Sequence, residues 1–196
     1  MIPKQLIRME NENTEEYCFR LMTDYKADPE KLRFCYTYTG KDGEKYFSKW
    51  ISLFQLWHLA PEDKVPGQFD TRTQFFSKIQ HRTILPCELT FDIDDARLGR
   101  KMVFPNIKSK AIFIKNQLIQ KYNLDPIIYF TGNKSYHITC IIPKLLELDI
   151  QERQEYRSKM INNYGCDDLK KSESCPIALE GAIHYKSGKK KEVVEL

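Results

Sequence analysis

The chain has 196 residues, 41% of them apolar and 12% aromatic, enough for a sizeable core in one domain, or one domain with a small lobe, so disorder is not the default reading. Its 31 basic and 27 acidic residues leave a formal charge of only +4, which excludes a histone-like polycation, so nucleic-acid contact would need a local basic groove. No apolar run reaches the roughly eighteen residues of a membrane span, and Met1 to Glu10 lack the apolar stretch of a secretory leader; a soluble, intracellular protein (cytoplasm, nucleoid or nucleus) with no membrane partner is expected.

Asn13-Thr14-Glu15-Glu16 offers an N-cap with a carboxylate three residues on, and Tyr17, Leu21 and Tyr25 recur at helical spacing, predicting a helix to about Ala27 that Asp28-Pro29 stops. Leu32 to Tyr38 and Glu44 to Phe47 flank Gly40-Lys41-Asp42-Gly43 as a hairpin would. Ser48 to Leu59 is ambiguous between strand and helix. Pro61 to Gly67, with two prolines, a glycine and three charges, predicts a loop that separates an N-terminal lobe (residues 1–67) from a core (68–196).

Ile84 to Ile93 reads as a buried strand ending in acids, and Ile107 to Tyr122 as a helix with Ile107, Ala111, Ile114 and Leu118 on one face. Strands are predicted at Pro126 to Thr131 and Tyr136 to Ile142, a helix at Asp149 to Tyr164, and closing strands at Pro176 to His184 and Glu192 to Leu196 around a lysine-rich turn. The order strand, helix, strand, strand, helix, strand predicts an α+β sheet layered against helices. Six cysteines, at 18, 35, 87, 140, 166 and 175, form no CxxC pair and suit reduced core thiols, with pairing or metal binding by Cys166 and Cys175 left open. The chain closes directly behind a candidate site segment, as a fragment of a longer polypeptide would.

Three segments carry chemistry. In Glu88-Leu89-Thr90-Phe91-Asp92-Ile93-Asp94-Asp95, side chains at i and i+2 of a strand share a face, so Asp92 and Asp94 are expected together with Phe91 and Ile93 opposite. Carboxylates held that close repel unless a hard cation such as Mg²⁺ or Mn²⁺ neutralises them, although an isolated DxD equally suits a solvated acidic turn. In Tyr129 to Ile138, Gly132 permits close approach to an anion while Lys134, Ser135 and His137 supply donors for phosphate oxygens; the alternative is an ordinary hairpin with a core histidine. Cys166-Asp167-Asp168 offers a third carboxylate, Asp167 first and Asp168 in reserve, and Leu179 to Gly188 carries His184 and Lys186 between glycine turns.

In this order, over roughly residues 84 to 196, the segments resemble the archaeo-eukaryotic primase superfamily, especially the small catalytic subunit of DNA primase and primase-polymerases. Phe91-Asp92-Ile93-Asp94 is similar to its FDID-type motif, Thr131 to His137 to its SGxxGxH-type motif, and Asp167 followed by Leu179 to Gly188 to its aspartate and LPxSLHxKTG-type segment. The resemblance implies an RRM-like antiparallel or mixed sheet with flanking helices. It implies two Mg²⁺ or Mn²⁺ ions on the catalytic Asp92, Asp94 and Asp167, and an NTP or dNTP triphosphate held by Lys134, Ser135, His137, His184 and Lys186.

The implied activity is template-directed nucleotidyl transfer, as in a DNA primase or DNA-directed polymerase acting in replication. A single-stranded DNA template would cross a basic groove for which Arg72, Lys78, Arg82, Arg97, Arg100 and Lys101 are candidates, and a helicase domain or primase accessory subunit is a possible partner. The chain departs from the pattern at Ala178, where arginine is usual, and at Glu180, where proline is usual. It has no cysteine between Asp95 and Ile127, so the zinc-binding insertion of cellular primase subunits is not expected. Rival readings are a metal-dependent nuclease using the same acids and a non-catalytic nucleic-acid or nucleotide-binding module.

Overall fold

The computed structural model describes residues 6–98 and 102–196. Asn13 accepts the Glu16 N–H at 3.0 Å and Glu16 accepts the Asn13 N–H at 2.9 Å, a reciprocal cap that opens α1 (Thr14–Asp24) as the sequence predicts. β1 (Arg33–Cys35) is followed by the hairpin of β2 (Thr37–Thr39) and β3 (Lys45–Phe47). The ambiguous stretch resolves into both options: β4 (Ile51–Ser52) runs directly into α2 (Leu53–Trp57), because Ser52 caps the helix through Gln55. A loop leads to α3 (Arg72–Lys78) and β5 (His81–Thr83).

The single strand expected over Ile84 to Ile93 starts later, as β6 (Glu88–Ile93), after a turn at Pro86-Cys87. Proline has no N–H for a ladder, and the buried Arg157 guanidinium instead gathers the carbonyls of Leu85, Pro86 and Glu88 at 3.1, 2.6 and 2.9 Å. β7 (Arg97–Leu98) and β8 (Met102–Val103) pair, and α4 (Ile107–Tyr122) follows with the predicted bounds. Next come β9 (Ile127–Phe130), β10 (Tyr136–Ile141), α5 (Ile150–Asn163), a short 3-10 turn at Asp168–Lys171, β11 (Pro176–Ala178) and β12 (Glu192–Val193). The strand predicted to run to His184 stops at Ala178, where the chain enters a loop closed by hydrogen bonds between residues 181–184 and 188–191.

Two four-stranded antiparallel sheets result, with orders β11-β5-β1-β4 and β12-β9-β10-β6. The first takes β5 and β11 from beyond residue 67, so the expected division there does not coincide with a boundary between sheets. In the second, β10 lies antiparallel between β6 and β9, the split β-α-β of an RRM-like fold, while the last strand joins at β9 instead of beside β6.

Leu89, Phe91 and Ile93 of β6 and Ile138 and Cys140 of β10 pack under Ala111, Ile114 and Leu118 of α4 and Met160 and Ile161 of α5. Alternation turns Glu88, Thr90 and Asp92, with His137 and Thr139 opposite them, to the other face. That polar layer is satisfied internally: Arg82 grips Glu88 with two bonds at 2.6 and 3.0 Å, and Thr90 meets Thr139 at 3.1 Å. All six cysteines are free thiols, and among the described residues no helix is long and apolar enough to cross a membrane.

Candidate active site

The register of β6 against β10 sets Asp92 directly opposite His137, and His137 Nε2 lies 3.4 Å from Asp92 Oδ2. His137 Nδ1 is buried with no partner, so a proton there would be orphaned, and the neutral tautomer carrying its proton on Nε2 fits the site. Burial holds the imidazole below its ordinary pKa, against the opposing pull of Asp92, with Lys191 and Lys170 acting in the same direction as burial. Burial pushes the Asp92 carboxyl up, but His137, Lys170 and Lys191 outweigh it and keep the group below the ordinary carboxylate range.

Lys170 was not singled out from sequence. Its ammonium sits 3.7 Å from Asp92 Oδ2, is 3.0 Å from the carbonyl of Pro176 and is almost fully buried. The signal was its place three residues after Asp167, which the 3-10 turn converts into proximity. Asp167 caps that turn by accepting the Leu169 N–H at 2.9 Å, and its own N–H donates to the Asp92 carbonyl at 3.2 Å, which brings the C-terminal acid beside the β6 acid. Asp168 turns to Lys171, 2.7 Å away. β6 ends at Ile93, so Asp94 is the first residue beyond it and is exposed. Burial raises the neighbouring Cys166 thiol to about 12, with the negative charges of Asp92, Asp94 and Asp167 acting in the same direction.

The phosphate-binding candidates form a second group at the same end of the sheet, since Tyr136 of β10 pairs with Ile93. Thr131 and Ser135 close the turn through their hydroxyls, 2.7 Å apart, and Lys134 at its tip is exposed. Gly132 has φ +91°, and a Cβ there would lie 2.6 Å from the Lys189 carbonyl and 3.1 Å from His184 Cβ. The loop holding His184 and Lys186 therefore rests on the Gly132 turn, tied down by Ser187 donating to the Gly132 carbonyl. His184 Nδ1 accepts the Lys186 N–H at 3.3 Å, and its ring stacks on Tyr185. His137 stands apart from this group, in the buried layer with Asp92.

Of the basic residues proposed to line a groove, the four described ones are each paired with an acid. Arg82 is fully enclosed and spent on Glu88, because a charge carried inward by β5 must be paired, and this corrects its assignment to a template surface. Arg72 pairs with Glu15, Lys78 with Asp70, and Arg97 with Asp95 at 2.9 Å. Arg100 and Lys101 lie outside the described residues.

The carboxylates are the oxygen donors that hard divalent ions take. As arranged, Asp92 is held by His137 and Lys170, and no three described His, Cys, Asp or Glu side chains form a ready ligand set. An ion taking Asp92 Oδ2 as a ligand would have to displace the Lys170 ammonium from it.

The α+β fold expected from the sequence is shared with a solved polymerase domain. Among solved structures, the chain is similar to the polymerase domain of Mycobacterium tuberculosis ligase D in complex with DNA, with a TM-score of 0.55 and 11% identity over 93% of this chain and 79% of that one. It is also similar to the AEP domain of the cyanophage S-2L primase-polymerase, with a TM-score of 0.46 and 11% identity over 91% and 88%. No family model and no curated protein matches the chain. At such identity the likeness concerns fold alone.

Proposed function

We propose that the chain is a primase-type nucleotidyltransferase that joins NTPs or dNTPs on a single-stranded DNA template. The observation that supports this is the convergence of three distant stretches on one end of one sheet: Asp92 opposite His137, Asp167 bonded to the Asp92 backbone, and the His184 loop seated on Gly132. In this reading a 3′-hydroxyl attacks the α-phosphate of the incoming nucleotide and pyrophosphate leaves. Two Mg²⁺ or Mn²⁺ ions on Asp92, Asp94 and Asp167 would supply charge stabilisation for both oxygens.

The chain's own part is positioning. His137 holds Asp92 by its oxygen, Lys134, Ser135, His184 and Lys186 meet the triphosphate, and the paired sheets fix both groups relative to each other. A helicase domain or accessory primase subunit is the partner this chemistry would serve. The test is incubation with template, Mg²⁺ or Mn²⁺ and labelled nucleotides, comparing the natural chain with the double variant Asp92→Ala, Asp94→Ala. Loss of labelled product in a folded variant supports the reading. Release of monophosphates from DNA without added nucleotides would favour a nuclease instead, and product unaffected by the double substitution would sink both.

A further inference from the structure

A cleft of about 620 Å³ opens between the first sheet and the start of α5. Leu32, Ile84, Pro86 and Leu146 are among its apolar lining. Phe47 and Trp50 supply aromatic wall, their rings 6.4 Å apart and within 29° of parallel, and Phe47 is 54% exposed although aromatic. The edge of the Phe47 ring region is fixed by a perpendicular contact with His81, 5.1 Å between centroids, so the ring is held while much of it meets solvent.

The charges around this aromatic pair are mostly positive. Lys26, Lys31, Arg33 and Arg153 line the cleft with only Asp28 and Glu173 as acids. Asp28 is 3.6 Å from Lys31, and Glu173 is taken by Arg153 and Arg157 at 2.5 and 3.1 Å. Lys26 and Arg33 are exposed and meet no acid among the described residues. The cleft is linked to the acids through Pro176, which lines it and whose carbonyl accepts from the Lys170 ammonium, itself 3.7 Å from Asp92 Oδ2.

We infer that this cleft binds single-stranded nucleic acid, a base packing on Phe47 and Trp50 while Lys26 and Arg33 meet the flanking phosphates. An apolar peptide would match the floor but leave the cations unused, whereas a polyanion with flat, apolar bases matches both. The inference deepens the proposed function, on which it rests, because it gives the template strand a surface linked to Asp92 through Pro176 and Lys170.

The chain has two tryptophans, so Trp57→Phe leaves Trp50 as the sole reporter. In that background, titration with a single-stranded DNA 12-mer should quench Trp50 emission, Phe47→Ala should weaken binding about tenfold, and Lys26→Glu with Arg33→Glu should weaken it further and flatten its salt dependence. Both changes are at exposed positions, and circular dichroism checks that the variants fold. Binding seen by polarisation of a labelled 12-mer with Trp50 emission unmoved, or equal affinity in all variants, overturns the inference, as does quenching by an apolar peptide but not by DNA. If Asp92→Ala, Asp94→Ala abolishes synthesis while the cleft variants bind and synthesise normally, the cleft assignment falls and the enzymatic reading stands. If synthesis is absent but DNA still quenches Trp50 in a Phe47-dependent way, the reverse holds.

Discussion

His137 and Asp92 occupy the same rung of the β6–β10 ladder, imidazole Nε2 3.4 Å from carboxylate Oδ2, and the histidine is the more deeply buried of the two. A buried neutral imidazole beside a half-buried acid serves to aim the acid. His137→Ala should therefore cut nucleotide incorporation by roughly ten- to a hundredfold, as loss of a positioning contact does. The nucleotide KM should change little, because the donors proposed for the triphosphate lie on the other loops. Steady-state kinetics with both parameters resolved check this; a rise in KM at unchanged kcat would return His137 to direct triphosphate contact.

Lys170 makes a second prediction. Removing its ammonium with Lys170→Met leaves the Asp92 carboxylate with His137 alone and the Pro176 carbonyl with only the distant Cys175 thiol. A loss of about 2 kcal/mol, lowering the melting temperature by several degrees, is expected without metal. Because the variant has no resident cation to displace, Mn²⁺ should stabilise it more than it stabilises the natural chain. Differential scanning fluorimetry with and without Mn²⁺ measures both, and an identical metal response in the two proteins would show that Lys170 does not compete for Asp92.

The second sheet was legible because its elements are long or strongly periodic. α4 follows Ile107, Ala111, Ile114 and Leu118, and α5 begins at its Asp149 cap. The first sheet was not, because β1, β4, β5 and β11 are two or three residues each and pair with one another across 17 to 97 positions of sequence. At the site, the side-chain period placed Asp92 on a polar face, but a strand ending at Ile93 puts Asp94 beyond the reach of that rule. Arg82 misled because charge type alone cannot distinguish a solvent-facing arginine from one whose partner, Glu88, arrives on the next strand.

That ion pair can be separated from any role on DNA. Arg82→Met leaves the Glu88 carboxylate buried and uncompensated, at a cost of about 3–5 kcal/mol, and adding Glu88→Leu should restore much of the loss. Urea unfolding of the three proteins gives the energies. Single-stranded DNA affinity of the folded double variant should match that of the natural chain, and a selective loss of DNA binding would contradict the structural assignment.

Acid sensitivity should centre on His81. Burial, then the nearby charges of Lys191 and Lys170, push its pKa down to about 4, and its Nδ1 has no partner. Between the ordinary value near 6.5 and about 4, the unfolded chain binds a proton that the folded chain refuses, so stability falls as pH drops through that window. The shift corresponds to roughly 3 kcal/mol. His81→Phe should remove this share, giving a smaller difference in unfolding free energy between pH 7 and pH 5 than the natural chain shows. Equal pH dependence in the two would mean that His81 titrates normally.

Gly132 offers the most direct test of whether its own turn and the His184 loop, proposed to meet the triphosphate, act as one. Its φ of +91° already disfavours a side chain, and a methyl group 2.6 Å from the Lys189 carbonyl cannot be accommodated unless the His184 loop moves off the turn. Gly188 is the control: its φ is +70°, so alanine is strained there too, but an added Cβ would touch nothing within 4 Å. Both substitutions should cost about 1–2 kcal/mol of stability from backbone strain. Only Gly132→Ala should also weaken nucleotide binding, by about tenfold, because it alone separates His184 and Lys186 from Lys134 and Ser135. Equilibrium binding of a labelled NTP, compared across the two variants at matched stability, decides the matter: equal affinity would mean that the loops bind independently or not at all, since strain is common to both substitutions and displacement belongs to one.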